Sequence, residues 1–339
     1  MSKRIGKYTV EMTKPVLIKE YASVVGKMEG EGPLRALFDH INGDNEFAQT
    51  SWEQSEGQLQ LMAASKAVNK ASLTTADIDF IIAGDLQNQC AGSHYGLRSM
   101  NIPFLGVFGA CSTMSESMAL SAMLIDGGSA NRCLAVTSSH FCTAERQFRM
   151  PLDYGSQRPQ TAQWTVTGAG ALILENREVS GGIGPYITSA TIGSITSFGI
   201  KDANNMGAAM APAAAETIKK HLEDTKTKPG DYDKIYTGDL GAVGKDMLIM
   251  LLKRENIDIS AVHDDCGLMI YDRESQDVHA GGSGCGCSAA VLCSKILNDM
   301  RSKQYNKILF TATGALMNST ILLQGQDIPC IAHTVSIRT

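Results

Sequence analysis

Hydrophobic positions along this chain fall into two alternating patterns. Leu61, Ala64, Ala67 and Val68 recur at the three- and four-residue spacing of one helix face. The run Phe80-Ile-Ile-Ala that follows is short and continuously apolar, as expected of a strand covered on both faces. The same order returns in the second half, with a helical pattern through Ile218 and Leu222 and then the strand Lys234-Ile-Tyr-Thr. Both strands run into the same tripeptide, Gly84-Asp85-Leu86 and Gly238-Asp239-Leu240.

A second pair of segments aligns in the same way. Gly109-Ala-Cys111-Ser opens an apolar helical stretch to Ile125, which turns at Gly127-Gly128 and enters the strand Cys133-Leu-Ala-Val-Thr. Gly284-Cys-Gly-Cys-Ser opens another to Met300, which turns between Lys303 and Asn306 and enters Ile308-Leu-Phe-Thr-Ala. Two matches in one order predict a duplicated α/β unit, with mainly parallel sheets covered by helices.

Length changes the picture only by fitting two such units. The chain has 339 residues, 43% hydrophobic and 19% charged, enough for a large core, and lacks a Pro/Ser-rich or charge-run linker. Halves at 1–180 and 181–339 sharing one interface are expected. A net charge of −5 without any basic run argues against nucleic acid as a partner. Lys3, Arg4 and Lys7 are followed by Tyr8, Thr9 and Glu11 where a secretion signal needs an apolar run. The apolar window from Ile102 to Leu124 is broken by Ser112, Ser115 and Glu116, so no membrane-spanning helix is expected. Nine cysteines, several within apolar segments such as Cys133, Cys266 and Cys293, fit a reducing compartment and cytoplasmic synthesis.

Parallel sheets bind ligands beyond the carboxyl ends of their strands, where both repeated loops should lie. Cys111, at the front of an apolar helix, is the candidate nucleophile, because a helix N-terminus favours thiolate. Free cysteine is also a common small core residue. The segment Gly281-Gly-Ser-Gly-Cys-Gly-Cys-Ser can bring backbone N–H groups close to a carboxylate or oxyanion, or can serve tight helix packing. Its Cys-Gly-Cys lacks the second ligand pair of a strong metal motif, so no metal site is expected. His140, His263 and His279 follow or precede predicted strands and turns and are candidate donors or bases; a lone histidine is more often structural. The stretch from Thr143 to Pro159 shows no helical or strand period and is expected to be a long excursion whose Arg146 or Arg149 could meet an anion or pair with Glu145 and Asp153.

These segments resemble the superfamily of thiolases and ketoacyl synthases. Gly109-Ala-Cys111-Ser is similar to its nucleophile loop, Asn204-Asn-Met-Gly followed by Pro212 and alanines to the start of its second half, and Ile308 to Met317 to its last glycine turn. The resemblance implies duplicated βαβαβαββ halves in a layered α-β-α-β-α body. Thr137-Ser-Ser-His140, Ala144 to Arg149, His263 to Tyr271 and Ala280 to Ala289 narrow it to a family of sporulation proteins of endospore-forming bacteria.

That narrower resemblance implies a soluble member of the channel complex moving dipicolinic acid across the spore inner membrane in sporulation and germination. It also implies membrane-protein partners, and the wider superfamily a homodimer. The ligand would be dipicolinate, with calcium as its possible counter-ion and no cofactor. Departures from the enzymes accompany the matches. Gly282-Ser-Gly-Cys285 stands where thiolases carry Gly-His-Pro and ketosynthases an Asn, and no second cysteine occurs near Thr313-Gly314-Ala315. Each missing transition-state donor costs roughly 3 kcal/mol, so turnover should be crippled. The expected ligand site is Cys111, Ser112, Thr113, His140, Arg146, His263, Gly282, Ser283, Gly284 and Cys285. The alternative is an acyltransferase using Cys111 as nucleophile and His263 as its base.

Overall fold

The computed structural model describes residues 2–149 and 158–339. Ten strands form the body of one twelve-stranded sheet: β1 (Thr9–Val25), β2 (Phe80–Gly84), β3 (Phe104–Gly106), β4 (Arg132–Ser139), β5 (Gly168–Asn176), β6 (Tyr186–Ile192), β7 (Lys234–Thr237), β8 (His263–Asp265), β9 (Lys307–Ala315) and β10 (Cys330–Arg338). Their order is β8-β7-β9-β10-β6-β1-β5-β4-β2-β3, and two short strands, Lys3–Ile5 and His40–Ile41, pair with β1.

Read outward from the β1/β6 pair, the two sides are the same. Each first-half strand has a counterpart: β1 with β6, β5 with β10, β4 with β9, β2 with β7, β3 with β8. Directions agree too, since β4 runs parallel to β2 and antiparallel to β5, as β9 does to β7 and β10. The long β1 joins the halves by pairing antiparallel with β6, with a register shift between Glu11 and Val16.

Helices follow the apolar pattern. α1 (Trp52–Lys70) starts at Ser51, whose side chain accepts from the Gln54 N–H, and buries Leu59, Ala63, Ala64, Ala67 and Val68 against the outer face of the first-half strands. α2 (Ala91–Leu97) lies beside it. α3 (Thr113–Asp126) begins just after Cys111. On the opposite face, α5 (Met206–Thr225) and α6 (Gly241–Arg254) cover the second-half strands through Met210, Ala214, Ile218, Leu248 and Leu252. α7 (Cys285–Val291) continues through a wider turn at Leu292–Ile296 to Arg301.

α3 and α7 occupy the centre. Met114, Met118, Ala289 and Val291 join one apolar cluster with Leu172, Leu174, Phe310 and Val335 from both halves of the sheet. The core is therefore three apolar layers, and the fold is the expected α-β-α-β-α arrangement. Pro212 lies inside α5, beyond its first turn, and removes one N–H from the helix ladder.

The excursion expected from Thr143 onward is a helix in its first part, α4 (Phe141–Arg149). Ala144 and Phe148, four residues apart, turn to the interior, and this short apolar spacing was masked by the charged residues between them. Residues 150–157, including Asp153, lie outside the described residues.

Candidate functional site

The fronts of α3 and α7 meet at one small hollow. Its walls include Leu86, Cys111, Ala144, Phe148, Met206 and Ser283, and about 30 Å³ of it is open to a water-sized molecule. The last glycine turn closes its back. A Cβ on Gly314 would lie 2.0 Å from the Gly109 carbonyl oxygen, so only glycine lets β9 approach the Cys111 loop this closely. Gly284, at φ +103°, sits against Ser139 and bends the chain into α7.

Beside Cys111 stands Asp239, completely buried. The N–H of Gly284 donates to its Oδ2 at 2.8 Å, and the Ser283 hydroxyl at 3.2 Å. Burial pushes the Asp239 carboxyl up to about 7, against the pull of the Gly284 amide and of a hydrogen bond from the Cys111 thiol. The Cys111 thiol is pushed well above its ordinary value, first by burial and then by the Asp239 charge. The expectation that the helix front would favour thiolate is thus reversed, because desolvation beside a carboxyl outweighs a partial helix charge.

A second buried acid pair lies across the sheet ends. Glu56 on α1 accepts from Gln87 Nε2 at 2.8 Å, Thr143 Oγ1 at 2.5 Å and Ser138 Oγ at 3.2 Å. Asp85 accepts from the Ser93 hydroxyl at 2.6 Å and N–H at 2.7 Å. Burial drives both carboxyls upward. Asp265, pushed up to about 6 by burial, accepts from Thr237 at 2.6 Å and from the N–H groups of Leu240 and Gly241.

Of the residues expected at the site, Cys111 and Ser283 line the hollow and Gly284 holds Asp239. Ser112 and Thr113 turn their hydroxyls back to the carbonyls of Gly109 and Ala110 at 2.7 and 2.6 Å. Gly282 belongs to a short strand paired with Trp164, and its carbonyl accepts from Gln163. Cys285 is buried with its thiol on the Ser138 carbonyl at 2.9 Å. The acids were the residues missed, and their signal was present: Asp85 and Asp239 occupy the same place in the repeated Gly-Asp-Leu.

Three residues lie elsewhere. His140 is packed among Trp52 and Phe47, and both ring nitrogens are bonded, Nε2 to the Asn45 carbonyl at 2.8 Å and Nδ1 to the Cys142 N–H at 3.2 Å. His263 points its Nε2 to Thr237 at 2.9 Å, and burial lowers it to about 3, so it is neutral and is not among the walls of the hollow. Arg146 projects from α4 into an adjoining outer cleft of about 480 Å³ with Gln87, Asn88, Gln147 and Ser319, and pairs with Glu53 at 2.7 Å. Cleft and hollow are neighbours through Leu86–Gln87, Thr143–Ala144 and Gln147–Phe148. His279 pairs with Asp277 at the surface, away from both.

Among the described residues no cluster of three or more His, Cys, Asp or Glu side chains is grouped for a metal, and no helix is long and apolar enough to cross a membrane.

Residues 6–338 match the family model described as stage V sporulation protein AD. Stage V sporulation protein AD of Bacillus subtilis (strain 168) is 46% identical over 333 residues, 98% of this chain and 97% of that one. Among solved structures, OleA of Xanthomonas campestris with bound cerulenin superposes with a TM-score of 0.62 at 15% identity, covering 96% of this chain and 97% of that one. 3-Oxoacyl-[acyl-carrier-protein] synthase III of Aquifex aeolicus VF5 gives 0.59 at 13%, with 96% and 99% covered. Human mitochondrial 3-ketoacyl-CoA thiolase gives 0.62 at 11%, with 97% and 99% covered. At these identities the structural likeness carries the thiolase-like fold alone.

Proposed function

We propose that this chain, which belongs to the stage V sporulation protein AD family and acts in sporulation, binds dipicolinic acid at the mouth of the Cys111 hollow without turning over a thioester. The observation that carries this reading is the state of Cys111. A nucleophile needs thiolate near neutral pH, yet this thiol is desolvated and faces Asp239 rather than a base. An intact fold around a quiet thiol is a pocket suited to binding.

The chemistry at the mouth fits a planar dianion. Among the described residues the ion pair of Arg146 is an exposed one with Glu53, and such pairs contribute about 0.5 kcal/mol, so its guanidinium can turn to a carboxylate at little cost. Asp239 is completely buried and is not among the walls of the hollow, so it acts on a ligand only through Cys111 and Ser283. The hollow alone has room for about one water, so the ligand occupies the outer cleft and α4 moves outward to admit its inner edge. Calcium would enter with the ligand as its counter-ion.

In this reading the protein serves the dipicolinate channel of the spore inner membrane, in sporulation and at germination, through membrane-protein partners. A homodimer would pair the edge strand β3, whose Leu105 and the nearby Phe108 are exposed apolar residues.

Calorimetric titration tests the binding claim. Saturable heat with dipicolinate or its calcium salt, lost in Arg146→Gln and in Ala144→Leu, is expected; folded protein giving no saturation overturns it. The second reading, acyl transfer through Cys111, rests on the position of that residue at the front of α3. A stable adduct after incubation with an acyl-CoA, absent in Cys111→Ser, would favour it.

A further inference from the structure

At the opposite end of the strands lies a cleft of about 570 Å³ between the first residues of the chain, the end of α5 and the outer ends of β9 and β10. It is far from the hollow. α5 has Met206 in the hollow wall and Thr225 in the cleft wall, and its 20 residues span about 30 Å.

The cleft gathers cations that form no ion pair with a described carboxylate side chain. Lys307 stands directly opposite Arg338 in the antiparallel β9/β10 register, a like-charge pair that disfavours the sheet it belongs to. Neither forms an ion pair with a described carboxylate side chain, and neither does Lys226, which caps the end of α5. The Lys307 ammonium lies 4.2 Å from the centre of the Tyr232 ring, and burial together with the Arg338 charge lowers its proton affinity against the weaker pull of Asp231.

Two acids, Glu11 and Asp224, also line the cleft. Asp224 accepts from the N–H groups of Lys7, Tyr8 and Thr9 at 3.2, 2.9 and 3.0 Å, and Glu11 stands opposite Lys3 in the β1 hairpin. Elsewhere the half-buried cations are matched: Lys19 and Arg132 meet Glu175, Lys295 meets Asp299, and Lys220 meets Glu216. The hydroxyls of Thr225, Thr227 and Ser336 line the same walls.

We propose that this cleft is a second ligand site, one that takes a phosphate group on Lys307, Arg338 and Lys226. A dianion there relieves the Lys307/Arg338 repulsion, and the Arg fork can hold two of its oxygens. The group could be carried by a free phosphate compound or by an anionic lipid headgroup, and the cleft chemistry is common to both.

Titration of the full chain with inorganic pyrophosphate, and sedimentation with phosphatidylglycerol against phosphatidylcholine vesicles, tests this. Saturable pyrophosphate binding is expected, weakened by added salt and by about tenfold or more in Lys307→Met and in Arg338→Gln. Lys226→Gln, at an exposed position, reads the same effect should a strand variant fail to fold. Vesicle binding competed by pyrophosphate identifies the lipid source, and its absence identifies a free phosphate compound. No saturation with either probe, binding indifferent to all three substitutions, or displacement of pyrophosphate by dipicolinate would overturn the proposal. Dipicolinate binding near Cys111 is measured separately and its failure leaves this result unaffected.

Discussion

The N–H of Gly284 donates to the Asp239 carboxyl at 2.8 Å, which ties the end of β7 to the glycine-rich turn at the front of α7. With the Ser283 hydroxyl it couples the two repeated loops of the second half and places a titrating carboxyl beside the Cys111 thiol of the first. The hollow is thus built from both halves, and its electrostatics are set by an acid rather than by a base.

Asp239 should make stability fall with pH. In the unfolded chain this carboxyl releases its proton near 3.8, whereas burial holds it in the folded protein to about 7. Between those values the unfolded state binds fewer protons, so rising pH favours unfolding, by at most about 1.4 kcal/mol per pH unit from this group. Asp239→Asn should therefore gain on the parent from pH 4 to pH 7 and run parallel to it above. Urea denaturation at several pH values measures the gap; a gap that does not change with pH contradicts the assignment.

Cys111 should be slow to alkylate. Its raised thiol leaves little thiolate at pH 7, and Asp239→Asn, by removing the adjacent negative charge, should bring the thiol down and speed labelling. Iodoacetamide rates read by peptide mapping separate it from the half-exposed Cys142. Labelling of Cys111 at pH 7 as fast as an ordinary exposed cysteine would show the thiol to be activated after all.

Gly314 should tolerate no side chain. Its Cβ would meet the Gly109 carbonyl oxygen at 2.0 Å, backbone against backbone, so Gly314→Ala should cost on the order of 3 kcal/mol. Gly230, with nothing within 4 Å of its Cβ, supplies the comparison, and Gly230→Ala should stay within about 0.5 kcal/mol. Equal denaturation midpoints for the two variants would remove the close approach that shapes the hollow.

Much of the fold was legible because burial on both faces writes itself as continuous apolar runs. β2, β4, β7 and β9 and the starts of α3 and α7 are all visible, and their repetition predicts a duplicated α/β unit, whereas the layering follows from the resemblance to thiolases and ketoacyl synthases. α4 is not visible, because a surface helix that buries only Ala144 and Phe148 leaves a weak period among its charges. Within the site, Cys111 and Ser283 were legible from glycine-flanked helix fronts. His140 and His263 were not separable from functional histidines by sequence, since what commits them is the Asn45 carbonyl and the Thr237 hydroxyl brought close only by folding. Asp239 differs: the repeated Gly-Asp-Leu marks the duplication, but only folding shows its aspartate buried beside Cys111.

Where dipicolinate binds is read from a crystal structure of the protein grown with it. The pyridine ring is expected in the outer cleft, with one carboxylate on Arg146, the other edge turned toward Ser283 and Cys111, and α4 displaced outward. Dipicolinate located anywhere else on the molecule, with the Cys111 hollow and the Arg146 cleft unchanged, would contradict it.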